Sequence, residues 1–300
     1  MNKTICPVCH QELTTPIRPD FMICTDCGIA VRLSSTILAT PDRLEVYSDE
    51  WVRAHSRNLN VQDVAKSLSD IIQEMLGEQA TAKILDIGCG SGVLVNKLSR
   101  LGYDASGLDW SEPAIKFARE HYQGEYVLAN VEQGLDIGKK FDCVVASHIL
   151  EHLVDPHSFL RSVAKLLKPS GYLVIAIPNL NWHDLDSAWR SASAIFDEEH
   201  VVGYTPSGLQ IVLNQSGFDV MGMSTETHRA IILTAVGVSV YKHLRKDKGN
   251  HQGAVQQAYG GITNNSVVSA ILSGMLYPFN RLSEKNLRGM ELIAVARKQE

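Results

Sequence analysis

Two groups of residues in this chain have the types and spacing that chemistry needs. The first is Cys6-Pro-Val-Cys9 with Cys24-Thr-Asp-Cys27-Gly28, a C-x2-C-x14-C-x2-C pattern. Two such knuckles on a short hairpin can set four thiolates tetrahedrally around zinc, and four cysteines leave no open position, so the metal would be structural. The spacer falls just below the usual range for a ribbon, and a redox dithiol would need a surrounding βαβ pattern that is absent here. Unrelated free cysteines are the other reading. A segment of about forty residues buries too little apolar surface to fold unaided, so the metal would contribute folding free energy. Cys89 and Cys143 lie in apolar surroundings and are not metal candidates.

The second group is Leu85-Asp86-Ile87-Gly88-Cys89-Gly90-Ser91-Gly92. A glycine-rich turn between a strand and a helix lets the backbone approach a nucleotide. The G-x-G-x-G spacing departs from the dinucleotide fingerprint, and Asp86 would repel a pyrophosphate but suit an ammonium. Asp109 follows 23 residues after Asp86 and ends the next apolar run. A carboxylate at that strand end can bond both hydroxyls of a ribose. Asn130 follows the third strand, where an amide can read an adenine edge, and Ser147 and His148 end the fourth.

The elements that must position these groups alternate. Strands are predicted at 83–87, 104–109, 125–129, 141–146 and 172–177, with helices at 93–101, after Ser111, and over 156–167. Strands separated by helical runs imply a parallel, doubly wound α/β sheet. Residues 41–79 read as helical, 205–216 as a further helix, 218–223 as a strand and 290–296 as the last strand. The expected organisation is a zinc-ribbon-like segment over 1–38, a helical linker over 39–80 and the main domain over 81–300. Within that domain, 178–204 would form a lid and 227–287 a helical insertion.

From about Lys83 to Gly217 the chain resembles the class I S-adenosylmethionine-dependent methyltransferases, above all the branch of ubiquinone-biosynthesis O-methyltransferases. The segments that carry the resemblance are Ile84–Gly92, Gly107-Leu-Asp-Trp-Ser111, His148-Ile-Leu-Glu-His-Leu-Val-Asp-Pro156, Leu167-Lys-Pro-Ser-Gly171, Ile177-Pro-Asn179, Tyr204-Thr-Pro-Ser-Gly-Leu209 and Gly217-Phe218. The resemblance implies a Rossmann-like, seven-stranded sheet with an antiparallel last strand. It also implies S-adenosylmethionine as cofactor, with the Gly88–Gly92 loop by its methionine portion, Asp109 on its ribose, and Trp110 and Val131 near its adenine. Family members carry an acid, linked with a divalent cation, where this chain has His148.

In methyl transfer the cofactor supplies the reactive carbon, and the protein aligns the nucleophile, excludes water and removes a proton where needed. Imidazoles titrate near neutrality, so His148, His152, His183 and His200 are the candidate bases. Trp182, Trp189 and Phe196 fall where the resemblance places a lid. The expected acceptor is a small metabolite, sugar or lipid-linked intermediate. RNA is a rival, because ribbons precede the core in certain ribosomal-RNA methyltransferases. A non-catalytic binding module is the third reading. The net charge of −5 argues against nucleic acid. The apolar run 267–276 could touch a membrane peripherally, with core packing the alternative. No signal peptide is visible, and no run reaches the roughly 18 apolar residues of a spanning helix. Together with paired cysteines, this gives a cytoplasmic protein as the expectation.

Overall fold

The computed structural model describes residues 4–33, 47–77, 81–131, 137–181, 199–226, 287 and 290–300. Trp182, His183, Trp189 and Phe196 lie outside the described residues, as does nearly all of 227–287. Among the described residues no helix is long and apolar enough to cross a membrane.

The main sheet has seven strands: β4 (Lys83–Ile87), β5 (Asp104–Asp109), β6 (Glu125–Leu128), β7 (Phe141–Ser147), β8 (Leu167–Pro178), β10 (Phe218–Glu226) and β11 (Glu291–Lys298). Their order is β10-β11-β8-β7-β4-β5-β6. The pairs from β8 through β7, β4 and β5 to β6 are parallel. The last strand of the chain, β11, runs antiparallel between β8 and β10. The central strands read as unbroken apolar runs because both faces are buried. On β8, Leu173, Ile175 and Ile177 enter one layer while Val174 and Ala176 enter the other, the alternation a pleated strand imposes.

Helices cover both faces. On one lie α2 (Leu59–Leu76), α3 (Val93–Arg100) and α4 (Glu112–His121), which supply Leu68, Ile72, Leu98 and Ile115. On the other lie α5 (Pro156–Leu166) and α6 (Pro206–Gln215), which supply Leu160, Val163, Leu209 and Val212. The starts of α4, α5 and α6 have side-chain caps: Ser111 accepts from Ala114 N–H, Asp155 from Ser158 N–H, and Thr205 from Gly208 N–H, the role short polar side chains serve at helix N-termini. The helical stretch ahead of the sheet is two helices, α1 (Asp49–Arg57) and α2, because Asn58 leaves helical geometry and caps α2.

The amino-terminal hairpins are built into this core. Strands β1 (Thr15–Arg18), β2 (Phe21–Ile23) and β3 (Ala30–Arg32) form a sheet completed by β9 (Val202–Gly203), with Ala30 opposite Gly203 and Val31 opposite Val202. Val8, Ile29 and Val31 share one apolar cluster with Leu160, Tyr204 and Leu209. The seam is tight at Gly208, where a Cβ would stand 2.6 Å from Ile29 Cγ1 and 3.0 Å from the Cys27 carbonyl oxygen. Alanine normally gains about 1 kcal/mol over glycine inside a helix, whereas overpacking costs about 1–3 kcal/mol. Gly208→Ala is therefore expected to destabilise the protein in denaturant unfolding. A raised midpoint would show that the seam has room.

Candidate functional site

The glycine loop leaves β4 and turns back over the end of β5. Gly88 N–H and Cys89 N–H both donate to the Leu108 carbonyl, at 2.8 and 3.0 Å. Gly88 has φ +71°, and a Cβ there would stand 2.3 Å from Ile149 Cδ1, so only glycine makes this turn. Asp109, at the end of β5, is buried. Its Oδ2 accepts from Gly90 N–H and its Oδ1 from Ser111 N–H, each at 2.8 Å. Burial raises its pKa against the three amides, those of Ser111, Gly90 and Trp110, that favour the charged form. A carboxylate oxygen accepts more than one bond, so each keeps capacity for a ligand hydroxyl. Asn130 and Val131 follow β6 at the same sheet edge, joined to β5 through Ala129 N–H and the Asp109 carbonyl at 2.9 Å. Ser147 ends β7 alongside.

Asp86 lies within β4, 4% exposed. Burial, then the Asp109 charge, pushes its carboxyl from the ordinary 3.8 up to about 8. With desolvation and a neighbouring carboxylate as its causes, that shift holds the carboxyl protonated, and a ligand ammonium is the partner such a site fits. These donors and acceptors suit an amino-acid-bearing nucleoside.

Helix α1 roofs this loop. His55 Nδ1 and Ser91 Oγ are 3.2 Å apart. Trp51 stacks on His55 at 4.6 Å between ring centroids, and Tyr47 meets Trp51 and Trp110 edge to face at 4.6 and 5.0 Å. Burial, then the nearby His148, lowers His55 to about 4, so its ring is neutral. From sequence alone this stretch reads only as a helical linker. The signal was present in the spacing: Trp51 and His55 fall four apart on one face of α1, and Tyr47 precedes its cap.

A second cluster follows β7. His148 has φ +54°, uncommon for a residue with a side chain and typical of a functional corner. Its Nδ1 lies 3.2 Å from Glu151 Oε1 and its Nε2 3.1 Å from Glu291 Oε1. Burial opposes a charge on His148, but the carboxylates of Glu291 and Glu151 outweigh it and raise the imidazole well above its ordinary value. Glu151, unlike the half-exposed His148, is buried, and against that burial its contact with His148 keeps it below the usual carboxylate range. Glu291 went unremarked in the sequence. It opens β11 opposite Pro178, and only an antiparallel strand brings its first residue to the carboxyl ends of β7 and β8.

Glu151, His152 and His200 offer ligand-type atoms within 4.8 Å of one another. Glu151 Oε2 is buried with no hydrogen-bond partner among the described residues. The His152 and His200 rings meet edge to face at 4.7 Å, and His152 Nδ1 lies 3.1 Å from the Glu199 carbonyl. Two imidazoles and a carboxylate can take up a proton or hold a divalent cation. Among the described residues Cys6, Cys9, Cys24 and Cys27 form a second such group, their sulfurs also within 4.8 Å of one another. The Cys6–Cys27 and Cys9–Cys24 separations of 3.5 and 3.3 Å are near the roughly 3.8 Å edge of a tetrahedron with Zn–S of about 2.3 Å, and beyond any disulfide.

A family model described as a methyltransferase domain matches residues 61–221. The ubiquinone biosynthesis O-methyltransferase of Bradyrhizobium diazoefficiens is 37% identical over 131 residues, which is 42% of this chain and 49% of that protein. That of Bordetella avium is 31% identical over 61% of this chain and 80% of its own length. The chain thus spans about half the length of the first of these relatives. In fold it is similar to phosphoethanolamine N-methyltransferase 2 of Haemonchus contortus in complex with S-adenosyl-L-methionine. There the TM-score is 0.58 and the identity 15%, with 90% of this chain and 62% of that one covered.

The raised Asp86 carboxyl makes a pH test of the loop. Its folded pKa lies above its unfolded one, so the folded state binds the extra proton and stability from this group is lost as pH rises from about 4 to about 8. Asp86→Asn is expected to gain on the wild type across that window when unliganded proteins are unfolded in denaturant. Parallel curves would show that Asp86 is ionised at neutral pH.

Proposed function

The chain belongs to the class I S-adenosylmethionine-dependent methyltransferases, and from that membership we propose that it methylates a small-molecule acceptor. The observation that carries this reading is the Asp109 carboxylate, fixed by the amides of Gly90 and Ser111 at the mouth of the parallel sheet. When bound, S-adenosylmethionine supplies an electrophilic methyl carbon on its sulfonium for in-line displacement.

Asp109 takes the ribose hydroxyls with the acceptor capacity its two amides leave. Gly88, Cys89, Gly90 and Gly92 bring the backbone to the methionine portion, and Asp86 answers its ammonium. Trp110, Asn130 and Val131 border the adenine, and Ser147 lines the crevice between the two clusters. The aromatic face of α1 excludes water. His148, with both ring nitrogens on carboxylates, is held as a cation that anchors Glu151 and Glu291. Proton removal falls to His152 and His200. A carbonyl oxygen can only accept, so His152 donates from Nδ1 to Glu199 and presents Nε2 as its basic nitrogen. The curated relatives are O-methyltransferases of ubiquinone biosynthesis, which favours an oxygen nucleophile on a quinone precursor or similar metabolite. The four cysteines hold a structural zinc, a reading their sulfur separations support.

Calorimetric titration with S-adenosylhomocysteine, on protein first assayed for its metal, tests this reading. One zinc per chain and micromolar binding are expected. Asp109→Ala should weaken that binding at least about tenfold, since bonds to a charged group are worth roughly 1.5–3 kcal/mol each. Unchanged affinity in the variant would remove the ribose assignment, and protein without zinc would remove the metal.

A further inference from the structure

We propose that Arg32, from the cysteine-bearing amino-terminal lobe, is a positioning residue for His200, so that this lobe forms one wall of the acceptor side of the site. The inference rests on the reading of His152 and His200 as the proton-handling pair.

The segment that carries His200 is gripped from two sides. From the lobe, Arg32 N–H donates to the Val201 carbonyl at 2.8 Å and Arg32 Nε–H to the His200 carbonyl at 2.8 Å. From the core, Val201 N–H donates to the Glu151 carbonyl at 2.8 Å and the Tyr204 hydroxyl to the Leu150 carbonyl at 3.3 Å. The β3–β9 ladder alone would hold the lobe in place. The Nε bond is additional, and it lands on the residue whose ring faces His152 and Glu151.

Arg32 is itself fixed in direction. It is 7% exposed, its Nη1 pairs with Asp20 Oδ2 at 2.8 Å, and its guanidinium lies 4.5 Å over the Phe21 ring. A buried guanidinium is costly unless its donors are met. The planar fork meets two acceptors at once, Asp20 in the lobe and His200 in the core, which the compact ammonium of lysine cannot reproduce. A change in the lobe thus reaches the imidazole pair through one side chain rather than through the cofactor loop.

The test uses the full-length protein as purified, labelled at histidine Cε1, in proton–carbon correlation spectra, with His200→Gln and His152→Gln assigning the two resonances. His157 is an internal control: its Nε2 lies 3.1 Å from the Val8 carbonyl, so it reports whether the lobe stays docked. In Arg32→Lys and Arg32→Gln the His200 and His152 signals are expected to shift while His157 stays. In Asp20→Asn, which keeps the Nε bond, all three should stay. Affinity for S-adenosylhomocysteine should hold within about twofold in the Arg32 and Asp20 variants, as for sites with no shared partner. Unmoved His200 and His152 signals in both arginine variants would overturn the proposal. So would movement of all three in every variant, which would reduce Arg32 to a clamp for the lobe. Wild-type protein that fails to bind S-adenosylhomocysteine would instead strike the methyltransferase reading, and the spectra would still decide the role of Arg32.

Discussion

A buried carboxylate at the end of a parallel strand is the constraint from which the rest of the site follows. Asp109 is removed from water, and burying a charge without partners is expensive. Its two oxygens meet that cost with one backbone amide each, from Gly90 and Ser111. Gly90 belongs to the loop after β4 and Ser111 caps α4, so this one side chain ties together the glycine turn, the strand end and the next helix start. The parallel pairing of β4 with β5, Ile87 opposite Leu108, sets the two ends level. Asp86, on the neighbouring strand, is held protonated by burial and by the Asp109 charge, and the proposed ammonium of the cofactor is the partner that would let it ionise.

Sheet topology assembles the second cluster. β7 delivers His148, and the turn after it delivers Glu151 and His152. The antiparallel β11 brings Glu291 back to the same edge. The amino-terminal hairpins then close the far side by adding β3 to β9. The cysteines are therefore part of the scaffold of the site, since the strand they brace holds the chain on which His200 sits.

Much of this was legible in the sequence for a physical reason. Strands buried on both faces are continuous apolar runs, and helices between them carry caps and a 3.6-residue period. The seven strands, the glycine loop, Asp109 and the paired cysteines all have such local signatures. What escaped depends on contacts distant in sequence. Arg32 meets His200 across 168 positions, and no local pattern encodes that pairing. Glu291 read as an ordinary strand residue until the direction of β11 placed it beside His148. Trp51 and His55 share a face of α1, with Tyr47 just ahead of its cap, but only the folded chain sets these rings against Ser91 and Trp110. The helix predicted over 156–167 ends at Leu166, one residue early; the Lys168–Gly171 stretch that closes it belongs to the start of β8, with Ser170 at φ +57° marking the irregularity there.

In the proposed function one cofactor is enclosed between the glycine loop, the end of β5 and the aromatic face of α1. Amide hydrogen exchange with and without S-adenosylhomocysteine would reveal that enclosure, because exchange reports local opening segment by segment. Slowed exchange confined to Gly88–Gly92, Asp109–Ser111 and the α1 segment is the predicted result. Unchanged exchange in those three segments at saturating ligand, or protection confined to the far side of the sheet, would contradict it.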